Sequence, residues 1–451
     1  MKKSLLWLLI MVLAVSMIAT FSLAGCKKAA EEEAVAPAEE EAVEEEVAVA
    51  EVTEEPITIT MWNGFNEHEV GLLDEVIAKY WAPAHPNITV ETKGAQNIES
   101  MLTAMAGGEP PDVILSPETQ VVGLWAKQGG IMDMTDFIQA KGENLDELLV
   151  KAGLQWVVFN DKYYGLPFVN FNWGLYYNKD LFEAAGLDPE LPPTTTDELT
   201  EYAKALTIVD ENGEITQLGW LPIMFNGDNT INFAMNFGGE FVDPVTLEPT
   251  LNNPKIVEAF DYDVALANEF GLDKVVGFVT GFTEGDNPFA LGKAAMFIDG
   301  CWMTKFLPEG LNFGVGSIPA SDPQYAMGNN VGTNPLVVPV GAKNPDAAME
   351  FVYFMSTNPD VAREYSDLIA NIPQVKSVLG NFSEDPRTVF FGELSNSANA
   401  KAWAPVLYAN EYLDQLITTT GDIYNNGMSP QEALDMGQEN IKAIYDADYS
   451  E

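Results

Sequence analysis

The stretch from Tyr163 to Thr207, YYGLPFVNFNWGLYYNKDLFEAAGLDPELPPTTTDELTEYAKALT, admits few folds. Its middle, LYYNKDLFEAAG, is a short strand turning sharply into a helix. Asn178 carries the short side-chain acceptor of an N-cap, Asp180 places negative charge in the first turn, and Gly186 suits the left-handed position past the helix end. After Pro192-Pro193, Thr195 and Glu198 have capping-box spacing before a second helix whose apolar face is Leu199, Tyr202, Ala203 and Leu206. The preceding segment, Pro167 to Gly174, holds more aromatics and amides than a connector needs.

The same strand-to-helix step opens the globular chain. Ile57 to Met61 alternates as a strand; Asn66 and Glu69 can cap a helix with stripe Val70, Leu73, Ile77 and Tyr80; Ile88 to Val90 is a second strand. This β-α-β unit implies an α/β sheet with parallel strands. Ligands of such sheets bind at the carboxyl ends of strands. The first strand end therefore offers Asn63, Phe65 and Asn66, although Phe65 and Trp62 serve equally well as core. Ile98–Ala106 suits a helix, Val113 to Leu115 a buried strand, and Val121 to Lys127 another helix. Glu118 lies in the loop between the last two and is a candidate contact, whereas Asp112 reads as structural. Further on, Phe225 to Asn229 is a polar turn holding Asp228, and Met296 to Gly300 is a buried strand followed by Trp302. Gly332-Thr333-Asn334 precedes an apolar strand, Leu336 to Val340, and Asn344-Pro345 caps the helix after it.

The chain has 451 residues, enough for two lobes with separate cores, and a formal charge of −46. That charge argues against nucleic acid, whose phosphates need Lys and Arg. Lys2 and Lys3 precede an apolar run ending in Leu23-Ala24-Gly25-Cys26, a secretory signal over 1–25. The L-A-G-C end resembles a bacterial lipobox, with Cys26 lipidated. Residues 26–56, nearly all Glu, Ala and Val after the cysteine, form an acidic tether with nothing large to bury. Cys301 is the only other cysteine, and it reads as a small buried hydrophobe.

Catalytic and metal signatures do not emerge. There are two histidines, His68 and His85, no G-x-S-x-G elbow, no H-E-x-x-H and no phosphate loop at Gly292-Lys293. The expectation is no cofactor and no metal. The abundant carboxylates leave a glycosidase pair open, but nothing singles one out. What does recur is aromatics and short polar side chains near inferred strand ends: Phe65, Trp173, Trp302 and Trp403 with Asn63, Asn172, Asp228 and Asn334. Sugar rings lay C–H faces on aromatics while their hydroxyls bond fixed side chains.

Four blocks carry a family resemblance: G-L-P with Y-Y-N-K-D-L-F, A-G-L and D-E-L; the P-D-V strand at Pro111-Asp112-Val113; the turn W-A-K-Q-G-G-I; and F-A-L-G-K-A-A-M followed by G-C-W at Gly300–Trp302. Together they resemble the extracellular solute-binding proteins of bacterial ABC importers, the sugar-binding, maltose-binding-protein-like group. The resemblance implies a periplasmic-binding-protein-like α/β fold, with two lobes joined by a multi-crossing hinge. Lobe one would be 57–168 plus 332–372, and lobe two 169–331 plus 373–451. It implies a monomer that captures a sugar or oligosaccharide outside the cytoplasm, held to a membrane by its lipid anchor, and delivers it to the transmembrane permease by cleft closure. By position, Asn63, Phe65, Asn66 and Glu118 would line one wall and Asn172, Trp173, Asp228, Trp302 and Trp403 the other, with Asn334 near a crossing. Ser116-Pro117 stands where relatives often carry an aromatic or an acid, so the sugar need not be a linear maltooligosaccharide. A polyamine or other cationic solute, with Glu118 and Asp228 as counter-charges, is the alternative, and a glycosidase-like enzyme a further one. A ferric site at Tyr176-Tyr177 is disfavoured, since adjacent strand residues point to opposite faces.

Overall fold

The computed structural model describes residues 55–225, 227–283 and 286–449. Cys26 and the segments expected to be a secretory signal and an acidic tether, up to residue 54, lie outside the described residues. Strand β1 (Ile57–Asn63), helix α1 (Glu67–Val76) and strand β2 (Ile88–Lys93) form the expected unit. β1 and β2 pair in parallel with Ile57 opposite Ile88. The α1 capping box is made: Asn66 Oδ1 accepts from Glu69 N, and Glu69 Oε2 accepts from Asn66 N, both at 3.1 Å. After α2 (Ile98–Ala106), β3 (Val113–Leu115) pairs in parallel with the other side of β1, and α3 (Val121–Lys127) follows. Asp112 is structural, as its position before β3 suggested. One carboxylate oxygen accepts from Thr60 N and Oγ1, the other from Asn344 N.

Strand β4 (Leu166–Phe171) joins this first sheet; after Asn172 the chain enters β5 (Trp173–Asn178), the centre of a second, antiparallel sheet. Helices α4 (Lys179–Ala184) and α5 (Thr196–Leu206) start where their caps predicted: Asn178 Oδ1 accepts from Leu181 N, and Thr195 and Glu198 close a capping box. Then come α6 (Gly227–Met235), α7 (Pro254–Asn268), β6 (Met296–Gly300), α8 (Met303–Phe306) and β7 (Phe313–Gly316), with β6 and β7 flanking β5. Strand β8 (Gly332–Val337) returns the chain to the first sheet. α9 (Pro345–Thr357), α10 (Pro359–Ile369) and β9 (Ile372–Pro373) follow, and α11 (Ala409–Tyr424) lies further on.

The first sheet has the order β9-β4-β8-β3-β1-β2. The strands at which the chain passes between lobes, β9, β4 and β8, are thus direct neighbours, so the hinge is one hydrogen-bonded ribbon. β8 begins earlier than Leu336 because Gly332 to Asn334 already pair with β4, and it carries a register shift at Asn334/Pro335. Pro335 has no N–H to give the ladder, so a bulge there is the expected adjustment. Asn344 precedes α9, but its side chain does not cap it; Nδ2 donates to Thr58 O instead.

Two lobes result, each with its own core. One gathers Ile59, Trp81, Val113, Trp125, Phe168, Val337 and Phe351; the other gathers Leu175, Phe233, Phe260, Ile298, Tyr412 and Ile441. Each such side chain removed from water contributes about 1.5–3 kcal/mol. Trp156, which follows the first lobe's α3 in the chain, packs with the second core and donates Nε1–H to Val331 O at 2.8 Å. Among the described residues no helix is long and apolar enough to cross a membrane.

Candidate functional site

Between the lobes lies a cavity of about 470 Å³, within the range of small-molecule sites. Its lining comprises Glu69, Pro117, Glu118, Thr119, Gln120, Asn334, Ile369 and Asn371, together with Trp156, Phe171, Trp173, Asp228, Trp302, Phe306, Asn330, Gly332, Trp403 and Leu413.

Its aromatic wall is built by close packing. Phe171, Trp173 and Trp302 meet edge to face in a triangle, with centroids 5.6, 6.0 and 5.7 Å apart. Two glycines make room for it. A β-carbon on Gly300 would fall 2.2 Å from the Trp302 ring, and one on Gly332 would fall 2.2 Å from that of Phe171. The G-x-W order is therefore a packing requirement. Trp403 stands on Phe241 and Tyr412, with centroids 5.4 and 5.2 Å away. Trp173 is 3 % exposed, and its Nε1–H has no hydrogen-bond partner among the described residues. A buried donor left unmade is costly, so a ligand acceptor at this point would gain more than an ordinary surface bond.

The polar groups are held from behind. Asn334 Nδ2 donates to both Ser116 O and Pro117 O at 3.2 Å, and Ser116 Oγ donates to Glu118 O at 2.8 Å, fixing the loop that presents Glu118. On the other wall Asn232 Nδ2 donates to Asp228 O at 3.0 Å, Asn330 N to Asn232 Oδ1 at 2.9 Å, and Trp403 N to Asn330 Oδ1 at 3.3 Å. This chain ties Asp228, in the first turn of α6, to Trp403. Burial raises the carboxyls of Glu118 and Asp228 above their ordinary values. Asp299, three residues before Trp302, is pushed up to about 6, mainly by burial, with the Asp228 charge adding to it. No Lys, Arg or His lies among the described residues of the lining. An anionic ligand would meet Glu69, Glu118 and Asp228 among these lining residues.

Six of the sequence candidates, Glu118, Trp173, Asp228, Trp302, Asn334 and Trp403, come together at this cavity. Four do not line it. Asn63 is buried, with Oδ1 turned back to accept from Phe65 N at 3.1 Å. Phe65 packs on Tyr365, centroids 6.4 Å apart, while Asn66 spends its side chain on the α1 cap. Asn172 sits fully buried at the crossing and donates Nδ2–H to Phe391 O at 2.9 Å. Tyr176 and Tyr177 are also buried away from the cavity, in separate clusters. Phe171 lies within the aromatic- and amide-rich segment before Gly174 that the sequence marks. Phe306, Asn330 and Glu69 are not singled out by the sequence for this role; of these, Phe306 leaves a local trace, four residues after Trp302 and so on the same helical face.

Comparison with known proteins adds independent findings. The family model described as bacterial extracellular solute-binding protein matches residues 66–362. The maltotriose-binding protein of Pyrococcus abyssi is 24 % identical over 364 residues, spanning 78 % of this chain and 74 % of its own. The galactooligosaccharide-binding protein of Bacillus subtilis is 25 % identical over 379 residues, spanning 80 % and 83 %. The solved structure of CpMnBP1 with mannotriose bound is similar at a TM-score of 0.72 and 26 % identity, over 85 % of this chain and 100 % of that one.

Proposed function

The chain belongs to the bacterial extracellular solute-binding proteins, and from that premise we propose that it captures a neutral oligosaccharide between its lobes and delivers it to an ABC permease by cleft closure. The observation that carries this reading is the lining of the cavity: flat aromatic faces beside carboxylates and amides, drawn from both lobes and, among the described residues, without Lys, Arg or His. Trp173, Trp302 and Trp403 would carry the ring faces. Glu118 and Asp228 would accept hydroxyl hydrogens, and Asn334 would hold the Glu118 loop in place. Relatives named for maltotriose and galactooligosaccharides, and a structural neighbour holding mannotriose, are in keeping with this ligand class.

Closure follows from differential affinity. Contacts from both lobes exist together only when the cleft is shut, so ligand shifts the population toward the closed form the permease would recognise. The lobes are taken as 57–168 plus 332–372 and 169–331 plus 373–451. The protein acts as a monomer by capture rather than catalysis. It sits outside the cytoplasm, anchored through lipid on Cys26.

That the charged side chains among the described lining residues are all acidic favours one second reading, a cationic solute such as a polyamine. Titration of the tagless protein by intrinsic tryptophan fluorescence separates the two. Saturable response to oligosaccharides is expected; response to spermidine alone would replace the sugar reading, and turnover of a chromogenic glycoside would overturn capture as the activity.

A further inference from the structure

We infer that Phe306 forms an outer subsite that stacks a third sugar ring and so sets the preferred ligand length above a disaccharide. This rests on the oligosaccharide reading above and deepens it. Burial runs in one direction along the cavity: Trp173 is 3 % exposed, Phe171 and Trp302 are half-buried, and Phe306 is 69 % exposed. The aromatic wall therefore continues outward to the mouth. Phe306 is the only aromatic among the large hydrophobic side chains standing exposed in the described residues. No other aromatic ring packs against it there, although it lines the cavity.

Its position explains how it reaches the mouth. Trp302 and Phe306 are four residues apart and bracket the single turn of α8, so both project to one side. Lining the same cavity from the first lobe are Glu69, in the first turn of α1, whose Oε2 accepts from Asn66 N and Nδ2 in the capping box, and Ile369, the last residue of α10. Their elements are joined: Tyr365 Oη donates to Glu69 O at 3.4 Å. A ring on Phe306 would lie flat against an apolar face and offer hydroxyls to Glu69. It would bridge the lobes near the exposed mouth, outside the more deeply buried Trp173, so that a ligand long enough to extend outward from the buried rings would engage it.

The test is calorimetric titration of wild type, Phe306→Ala and Phe306→Tyr with mannobiose and mannotriose, and with maltose and maltotriose. In the series that binds, Phe306→Ala is expected to weaken the trisaccharide about five- to tenfold more than the disaccharide. Phe306→Tyr, which keeps the flat face, should restore most of the difference. An equal loss for both lengths, or no loss for either, overturns the subsite while leaving sugar capture intact. Wild type that binds no saccharide in either series overturns the oligosaccharide reading, and the subsite falls with it. Phe306 is exposed, so the alanine variant should melt like wild type.

Discussion

Thr119 and Thr333 bind each other reciprocally across 214 residues of chain: Thr119 Oγ1 donates to Thr333 O at 2.7 Å and accepts from Thr333 N at 3.2 Å. Both are buried. One lies in the loop that presents Glu118, the other in β8, one of the strands that crosses between lobes. The floor of the cavity and the hinge are therefore one hydrogen-bonded unit, and a ligand drawing on the loop draws on the hinge as well.

Thr119→Val keeps the shape and removes the hydroxyl, leaving a buried N–H and C=O without their partner. The expected cost is about 1–3 kcal/mol, read as a lower urea midpoint, with weaker sugar binding because the loop loosens. An unchanged midpoint would show that the pair does not hold the floor.

The aromatic wall is expected to dominate affinity. Trp173→Ala and Trp302→Ala should each weaken oligosaccharide binding on the order of 10- to 100-fold, equivalent to about 1.4–2.8 kcal/mol. If calorimetry finds both variants at wild-type affinity, the ligand does not sit on this wall.

Gly300→Ala tests the packing beneath it. The added β-carbon would meet the Trp302 ring at 2.2 Å, so the ring must move and the triangle with Phe171 and Trp173 opens. The variant should fold with a lower melting temperature and bind sugar at least several-fold more weakly. Gly332→Ala should act alike through Phe171. Full affinity in both would mean that ring placement is not what the glycines secure.

Asp263 on α7 gives a pH dependence with a definite sign. Its carboxylate is fully buried and accepts from Trp220 Nε1 at 2.7 Å, from Ile223 N at 3.3 Å and from the Tyr424 hydroxyl. Burial nevertheless outweighs these donors and pushes the group up to about 6, from an ordinary 3.8. Between those values the native state holds the proton more tightly than the unfolded chain does. Stability from this group is thus fully present below about pH 3.8 and lost as pH rises toward 6, by about 3 kcal/mol in all. The expected measurement is the urea stability of wild type minus that of Asp263→Asn, falling from pH 4 to 6 and level above. A difference flat with pH would refute the shift.

Much of the fold was legible because its signals are local. The capping pairs Asn66/Glu69 and Thr195/Glu198, and the N-cap at Asn178, act within three residues, and each stands where the spacing put it. Asn344 shows where that reasoning fails. Its side chain had the chemistry of a cap, yet Thr58 and Asp112, more than 230 residues away, offered partners it used instead.

For the cavity, the sequence by itself determined the supply of rings and short polar groups near strand ends, since alternation and turn residues mark those ends. Only the tertiary structure decided which of them face one another. Asn63 and Asn172, as suitable in type as Asn330, turn into their own loop and toward Phe391, whereas Phe306 and Glu69, more than 230 residues apart, are brought to one cavity. The physical reason is that a side chain's direction at a strand end or a crossing is set by long-range packing and hydrogen bonding. Those energies belong to pairs of residues that the sequence holds hundreds of positions apart.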